Sequence, residues 1–368
     1  MIRATIEGLT EEEEKVLIKS LDKLNNFFKE KYNLNKVNKE KMMSNISVIG
    51  TGSYVPNNII TNDFLSTVVD TSDEWIRTRT GILERRISKG ENTIYMATEC
   101  AKEAIKNANI EANDLDLIIV ATLTPDNFMP STACSVQKEI GAINALCFDI
   151  SAACSGFIYG LEIACSMLKN SFRNKALIIG AENLSKIVDW EDRNTCVLFG
   201  DGAGAAILSK TKEEGILEFH SGSNGLKGEH LTCGVLKANN TPNKNDRLEK
   251  NNFIKMNGKE IFRFAVGAMN ETICNIQEKT KWDLNEVKYI ISHQANSRII
   301  EYTAKKLNTE KDKFYMNLDK YGNTSAASIP IALDEMNKRG LLNKQDKIIL
   351  VGFGGGLTFG GVAIVWSI

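Results

Sequence analysis

From Asn45 onward the chain alternates between runs that are apolar without interruption and stretches whose apolar positions recur every three to four residues. The continuous runs are ISVIG (46–50), LDLIIVA (115–121), NALCFDI (144–150), KALIIGA (175–181), GAAIL (204–208), VKYIIS (287–292), KIILVGF (347–353) and GVAIVW (361–366). Runs of that length, rich in β-branched residues, suit strands covered on both faces, and the helical stretches between them supply the covering layers. The pattern predicts a layered α/β fold.

Residues 1–44 follow a different pattern. Thr10 and Glu13 have the spacing of a capping box, and Val16, Leu17, Leu21, Leu24 and Phe28 then recur at helical intervals. NLNKVNKEKMMSN (33–45) is polar, rich in Lys and Asn, and reads as a linker. We expect a helical appendage without chemistry of its own; a start at Met42 or Met43 would remove it.

The two remaining parts echo each other. LDLIIVA and VKYIIS lie 172 residues apart, ALIIG and KIILVG 171, and the small-residue stretches SAACSG and NTSAAS match with Cys154 on Ser325, again 171. Repetition in register argues for an internal duplication. The expected organisation is therefore an extension over 1–44 and two similar halves over 45–217 and 218–368. In a duplicated fold equivalent helix starts converge near the pseudo-two-fold axis, which places Cys154 and the 323–328 stretch on opposite sides of one centre.

Composition narrows the function. With 45 Lys and Arg against 46 Asp and Glu, the chain has a formal net charge of −1 and no electrostatic footprint for nucleic acid or an anionic membrane. No apolar run approaches the roughly 20 residues of a membrane span, and the charged N-terminus does not read as a signal peptide; a cytoplasmic location is expected. The cysteines, at 100, 134, 147, 154, 165, 196, 233 and 274, include no C-x-x-C pair, so a metal site is not expected.

Candidate chemistry sits where strands end. Cys154, in DISAACSGF, follows a strand-like run and opens a helix-like one. It reads either as a small buried hydrophobe or as a nucleophile whose pKa the helix N-terminus lowers. His293 follows VKYIIS, a position that in α/β folds favours catalysis, although a structural histidine also fits. His220 and His230 fall in a Gly- and Ser-rich stretch that reads as loop or edge strand. Asn323 in YGNTSAAS is a plain N-cap or a donor to a developing enolate oxygen. VGFGGGLTFGG (351–361) lacks the Lys-Ser/Thr of a phosphate loop, so Gly354 to Gly356 read as backbone passing close to a reacting group and offering N–H to an oxyanion. GTGSYV (50–55) fails the dinucleotide fingerprint at Val55, and FGDGAGAAIL (199–208) reads as tight packing before a strand.

Taken together, GTGSYVPNN (50–58), DTSDEWIRTRTGILERR (70–86), DISAACSGF (149–157), FGDGAGA (199–205), SHQANSRI (292–299), YGNTSAAS (321–328) and FGGGLTFG (353–360) resemble, in order, the motifs of the β-ketoacyl-acyl-carrier-protein synthases III of the thiolase superfamily. The resemblance covers 45–368 and leaves 1–44 outside. It implies a thiolase-like αβαβα fold of two duplicated halves, a homodimer, and initiation of type II fatty acid synthesis. The triad it implies falls on Cys154, His293 and Asn323; elongating relatives carry a second histidine in place of that asparagine.

By the family's mechanism the Cys154 thiolate takes the acyl group of a short acyl-CoA, acetyl-CoA as the first expectation, with the oxyanion held by the N–H groups of Cys154 and Gly355. Malonyl-acyl carrier protein then loses CO2, and His293 and Asn323 hold the enolate that attacks the acyl-enzyme. Acyl-CoA is a substrate, and no cofactor is implied.

Trp75, Arg79, Arg193, Gly258, Ala295 and Asn296 match positions along the CoA tunnel, and Arg298, Lys305 and Lys306 match a basic patch for the acidic carrier protein. Met129 stands where the family often has phenylalanine lining the acyl pocket, commonly from the neighbouring subunit; flexible methionine there fits a longer or branched primer. Alternatives are a polyketide-type Cys-His-Asn condensing enzyme, separated by its use of malonyl-CoA, and a silent acyl-CoA-binding homologue, separated by a lack of CO2 release. A dehydrogenase reading of GTGSYV would require dinucleotide binding.

Overall fold

The structure is a computed structural model describing residues 10–31, 45–234 and 253–368. Two compact units divide at Ser44 and Asn45. In the first, helix α1 (Glu11–Lys31) is opened by the expected capping box: the Thr10 N–H donates to Glu13 Oε2 at 2.8 Å and the Glu13 N–H to Thr10 Oγ1 at 3.4 Å. Val16, Leu17, Leu21 and Leu24 are exposed along it. The expected linker falls outside the described residues but for Asn45.

The second unit is built on two five-stranded sheets. Strands β1 (Asn45–Tyr54), β2 (Leu117–Ala121), β3 (Leu146–Ile150), β4 (Lys175–Glu182) and β5 (Gly202–Thr211) form the first, in the order β1-β5-β4-β2-β3. Strands β6 (Ile216–Ser223), β7 (Val287–Ser292), β8 (Phe314–Tyr315), β9 (Lys347–Gly354) and β10 (Thr358–Val365) form the second, in the order β8-β7-β9-β10-β6. Read from opposite ends the orders are the same, and the inner pair is parallel in both. The sheets change over between Thr211 and Ile216. Strand β6, a sheet edge of intermediate burial, has no continuous apolar run and so is not marked as a strand by that pattern, whereas β3 carries such a run but is an edge of exposed to intermediate burial and not covered on both faces.

Register corrects the expected offset. Leu117 pairs with Ala176, and Tyr289 with Ile348, so both strands repeat at 172. The two short 3₁₀ turns, Ala153–Ser155 and Ser325–Ala327, obey the same 172, and their first residues share a positive φ, 47° at Ala153 and 49° at Ser325. Cys154 is therefore the equivalent of Ala326, not of Ser325. A one-residue slip matters because it exchanges the two faces of every strand.

Alternation along the strands separates three cores. Leu117, Ile119, Ala176 and Ile178 of the first sheet face Ile348 and Leu350 of the second across helices α4 (Gly156–Lys169) and α7 (Ser328–Lys338). Their neighbours Ile118, Val120, Leu177 and Ile179 face outward to helix α3 (Thr93–Ala108). Ile349, Val351 and Phe353 face helices α5 (Gly258–Thr280) and α6 (Ser297–Lys306). Strands buried on both faces need apolar residues at every position, and the result is the expected αβαβα stack. In GTGSYV a Cβ on Gly52 would lie 2.3 Å from the Cys100 carbonyl of α3, so those glycines serve strand–helix packing.

Candidate active site

Strand β3 delivers the chain to Cys154 through the tight turn at Ala153, and α4 follows at Gly156, where an added Cβ would lie 2.8 Å from the Ala121 Cβ at the end of β2. Cys154 is buried on the wall of a cavity of about 450 Å³. The helix start was expected to lower its pKa. Burial dominates instead and pushes the thiol up to about 12, with the nearby Glu182 adding to the rise and Ser325 opposing it. The resting residue is a thiol.

His293 stands beyond the end of β7. Its N–H donates to the Val351 carbonyl at 2.8 Å, which fixes the backbone against β9. Its ring meets Phe353 edge to face at 5.1 Å, and Nδ1 lies 2.7 Å from Ser328 Oγ at the start of α7. The Gln294 N–H donates to that same hydroxyl at 3.4 Å. We assign the Ser328 hydroxyl as donor to Nδ1, the tautomer in which the ring carries its hydrogen on Nε2. Burial lowers the His293 pKa to about 3, so the ring is neutral and a hydrogen-bond donor, not an acid, at physiological pH.

Asn323 is held by its backbone beside Phe199: its N–H donates to the Leu198 carbonyl at 2.8 Å and its carbonyl accepts from Gly200 N–H at 3.0 Å. Its Oδ1 accepts from the Ser325 N–H at 2.8 Å, two residues on, while the N-cap of the following turn is Thr324 and not Asn323; Nδ2 is the group it can offer the cavity. Behind this segment lies Arg85, fully buried, donating to the Val197 carbonyl at 2.7 Å and to Asn62 Oδ1 at 2.9 Å; burial lowers its pKa to about 10. Sequence reasoning missed Arg85, because in LERR nothing distinguishes a buried guanidinium from the exposed ones around it.

The glycine turn between β9 and β10 closes the site. A Cβ on Gly354 would lie 2.6 Å from the Cys154 nitrogen, and Gly355 lines the cavity next to Ala153. Thr358 braces the turn by donating to the Ala152 carbonyl at 3.1 Å. Cys154, His293, Asn323, Ser325, Gly354 and Gly355 all line this one cavity. The remaining wall is largely apolar, with Leu123, Leu198, Leu231, Met256 and Phe262 among its residues. A thiol, two neutral N–H donors and a close-packed glycine turn in an apolar cavity are suited to covalent acyl chemistry in which negative charge develops on oxygen. Among the described residues no group of three or more His, Cys, Asp or Glu side chains is placed to hold a metal ion.

The other predicted residues divide. Gly258, Ala295 and Asn296 line the cavity. Trp75, Arg79 and Arg193 do not: the lining residue Asn296 donates through Nδ2 to the Arg79 carbonyl at 3.0 Å, and the Arg193 guanidinium lies 4.8 Å from the Trp75 ring centroid. Trp75 and Arg79 lie on helix α2 (Asp73–Thr80). Met129 is 85% exposed and absent from the wall of its own chain's cavity. Arg298, Lys305 and Lys306 lie on α6, with Arg298 6.0 Å from the ring centroid of the wall residue Phe262 and both lysines exposed.

Comparison with known proteins converges on one family. Models of 3-oxoacyl-[acyl-carrier-protein (ACP)] synthase III match residues 148–225, and of its C-terminal part residues 277–366. A β-ketoacyl-[acyl-carrier-protein] synthase III of Clostridium botulinum (strain Langeland) is 99% identical over 326 residues, 89% of this chain and 100% of the relative. The crystal structure of 3-oxoacyl-[acyl-carrier-protein] synthase III from Aquifex aeolicus VF5 superposes with a TM-score of 0.81 at 49% identity, covering 87% of this chain and 100% of that one. The priming β-ketosynthase of the R1128 polyketide biosynthetic pathway superposes with a TM-score of 0.83 at 30% identity, covering 88% and 96%.

Proposed function

The chain belongs to the 3-oxoacyl-[acyl-carrier-protein] synthase III family, and from that membership we propose that it is the initiating condensing enzyme of type II fatty acid synthesis. It joins a short acyl-CoA, acetyl-CoA or similar, to malonyl-acyl carrier protein with loss of CO2. The observation that carries the assignment is the convergence of Cys154, His293 and Asn323 on one cavity, with Gly354 packed against the Cys154 amide.

The Cys154 sulfur attacks the thioester carbonyl, and the oxyanion is held by the N–H groups of Cys154 and Gly355. CoA leaves, and the acyl group stays on Cys154. Malonyl-acyl carrier protein then enters. His293 Nε2–H and Asn323 Nδ2–H donate to the thioester oxygen as CO2 departs, and the enolate carbon attacks the acyl-enzyme. Decarboxylation generates the carbanion without a strong base, which suits a neutral His293. The adenine end of CoA stacks on the Trp75–Arg193 pair, and Arg298, Lys305 and Lys306 meet the acidic carrier protein. The active form is a cytoplasmic homodimer in which the exposed Met129 lines the acyl pocket of the partner. In the same reading residues 1–44 are an extension to two thiolase-like halves, about 45–217 and 218–368.

Incubating the purified protein with acetyl-CoA and malonyl-acyl carrier protein should yield acetoacetyl-carrier protein by mass spectrometry, and Cys154→Ser should abolish it. Consumption of malonyl-CoA in place of the carrier-bound extender would transfer the assignment to a polyketide-type Cys-His-Asn condensing enzyme.

A further inference from the structure

A buried thiol with its pKa pushed up must lose its proton before it can attack, and neither His293, which is a neutral donor, nor the glycine turn accepts one. The second half of the fold places two groups beside Cys154 that the chemistry above leaves unused. Ser325 neighbours both the Cys154 thiol and the Glu182 carboxylate. Neither contact closes into a well-formed bond, since Ser325 Oγ and Glu182 Oε1 are both buried without a partner. Unpaired buried polar atoms destabilise a fold, so the retention of two beside a reacting sulfur calls for a role.

The duplication explains how they come to be there. Glu182 ends β4 where Gly354 ends β9, at the same 172-residue offset. Each half sends its strand end against the helix start of the other: Gly354 packs on Cys154, and a Cβ on Gly180 would lie 2.1 Å from the Ala326 carbonyl. The carboxylate therefore occupies, on the Ser325 side, the place that the glycine turn occupies on the Cys154 side.

We propose that Ser325 and Glu182 form a proton relay that deprotonates Cys154 for acylation. The thiol proton passes to Ser325 Oγ as the Ser325 hydroxyl proton passes to the Glu182 carboxylate. The sulfur pair forms the S–C bond to the acyl carbon. When the C–S bond to CoA breaks, its pair goes to the CoA sulfur, which takes the proton back from Glu182 through Ser325. No net proton is consumed, and Glu182 ends ionised.

Glu182 is suited to hold a proton transiently. Burial raises its pKa to about 7, and hydrogen bonds from Thr124 Oγ1 at 2.8 Å, Leu123 N–H at 3.1 Å and Thr122 Oγ1 at 3.4 Å oppose the rise. The groups that face it are these hydroxyls and the amide, Ser325 and the Cys154 thiol. Lys186 reaches the Thr124 carbonyl and is held by Asp126, Asp201 is occupied by the Ser88 and Ser185 N–H groups, and His293 is neutral.

The inference rests on the function proposed above, and the test separates the two. Alkylation of Cys154 by iodoacetamide, read peptide by peptide in a mass spectrometer from pH 5.5 to 9, reports on deprotonation without the condensation. The wild-type rate should rise through about pH 7 and level off, and Glu182→Gln and Ser325→Ala should each slow it on the order of 10²-fold at pH 8 and remove the inflection. A carboxylate acting by its charge alone raises the thiol pKa, so a Glu182→Gln protein that alkylates as fast as wild type or faster overturns the relay. An unchanged profile in Ser325→Ala overturns it equally; that variant removes an atom with no partner, and melting temperatures check the fold of both. Loading with acetyl-CoA completes the distinction. If wild-type Cys154 takes no acetyl group the proposed function fails; if wild type and both variants load with the same rate and pH profile, only the relay fails.

Discussion

Ser328 Oγ lies 2.7 Å from Nδ1 of His293, and through that one contact the start of a helix in one layer sets which nitrogen of a ring in another carries the hydrogen. The hydroxyl is positioned because α7 begins at Ser328 and because the Gln294 N–H also donates to it. Ser328→Ala removes the donor to Nδ1 and lets the ring choose either tautomer. Release of CO2 from malonyl-acyl carrier protein should fall about tenfold, the worth of one hydrogen bond near 1.4 kcal/mol, while acylation of Cys154 is spared. Equal loss of both steps would show that Ser328 supports the fold and not the ring.

The Gly354 contact is steric and gives a sharper expectation. Gly354→Ala places a carbon 2.6 Å from the Cys154 nitrogen, so the turn must move away from the sulfur it closes over. Acylation should drop by about 10²–10³, the usual cost of a displaced oxyanion donor. Gly225→Ala, where an added Cβ meets nothing within 4 Å, is the matched control and should keep full rate. A Gly354→Ala enzyme with wild-type acylation would remove the turn from the oxyanion site.

Two buried groups make opposite contributions to stability against pH. His293 falls from 6.5 to about 3 on folding, so between those values the unfolded state holds the extra proton and stability rises with pH. Glu182 rises from 4.5 to about 7, so over that interval the folded state holds the extra proton and stability falls with pH. The two nearly cancel between pH 4.5 and 6.5. Urea unfolding of Glu182→Gln should therefore gain a slope of up to about 1.4 kcal/mol per pH unit relative to wild type there, with stability lost as the pH falls. Parallel curves for the two proteins would mean that Glu182 is not held as described.

Arg193 over Trp75 should matter for binding and not for chemistry. Its guanidinium lies 4.8 Å from the ring and donates to the Asp70 carbonyl at 2.9 Å, both outside the cavity wall. Arg193→Ala should raise KM for acyl-CoA about tenfold with kcat within about twofold, the pattern of binding energy shared by ground and transition states. A fall in kcat at unchanged KM would place Arg193 in the chemical steps.

What the sequence determined by itself was what depends on local pattern. Continuous apolar runs marked strands, though the run at 144–150 belongs to a part-exposed sheet edge; Thr10 and Glu13 marked the opening of α1, and motif order placed Cys154, His293 and Asn323, which line one cavity. Strand β6 escaped that pattern because it is a half-buried edge. Tertiary structure decided what depends on distance across layers. The true offset of 172 was settled by strand register, which sequence similarity among small residues blurs by one. The Cys154 pKa went up, not down, because burial outweighs the helix start, and burial is a property of everything packed around a residue. Glu182 and Arg85 carried no signal of their own, and Ser328 was legible only as part of the 323–328 stretch: their partners come from segments 23 to more than 100 residues away, and a side chain's environment is decided by whichever parts of the chain the fold brings against it.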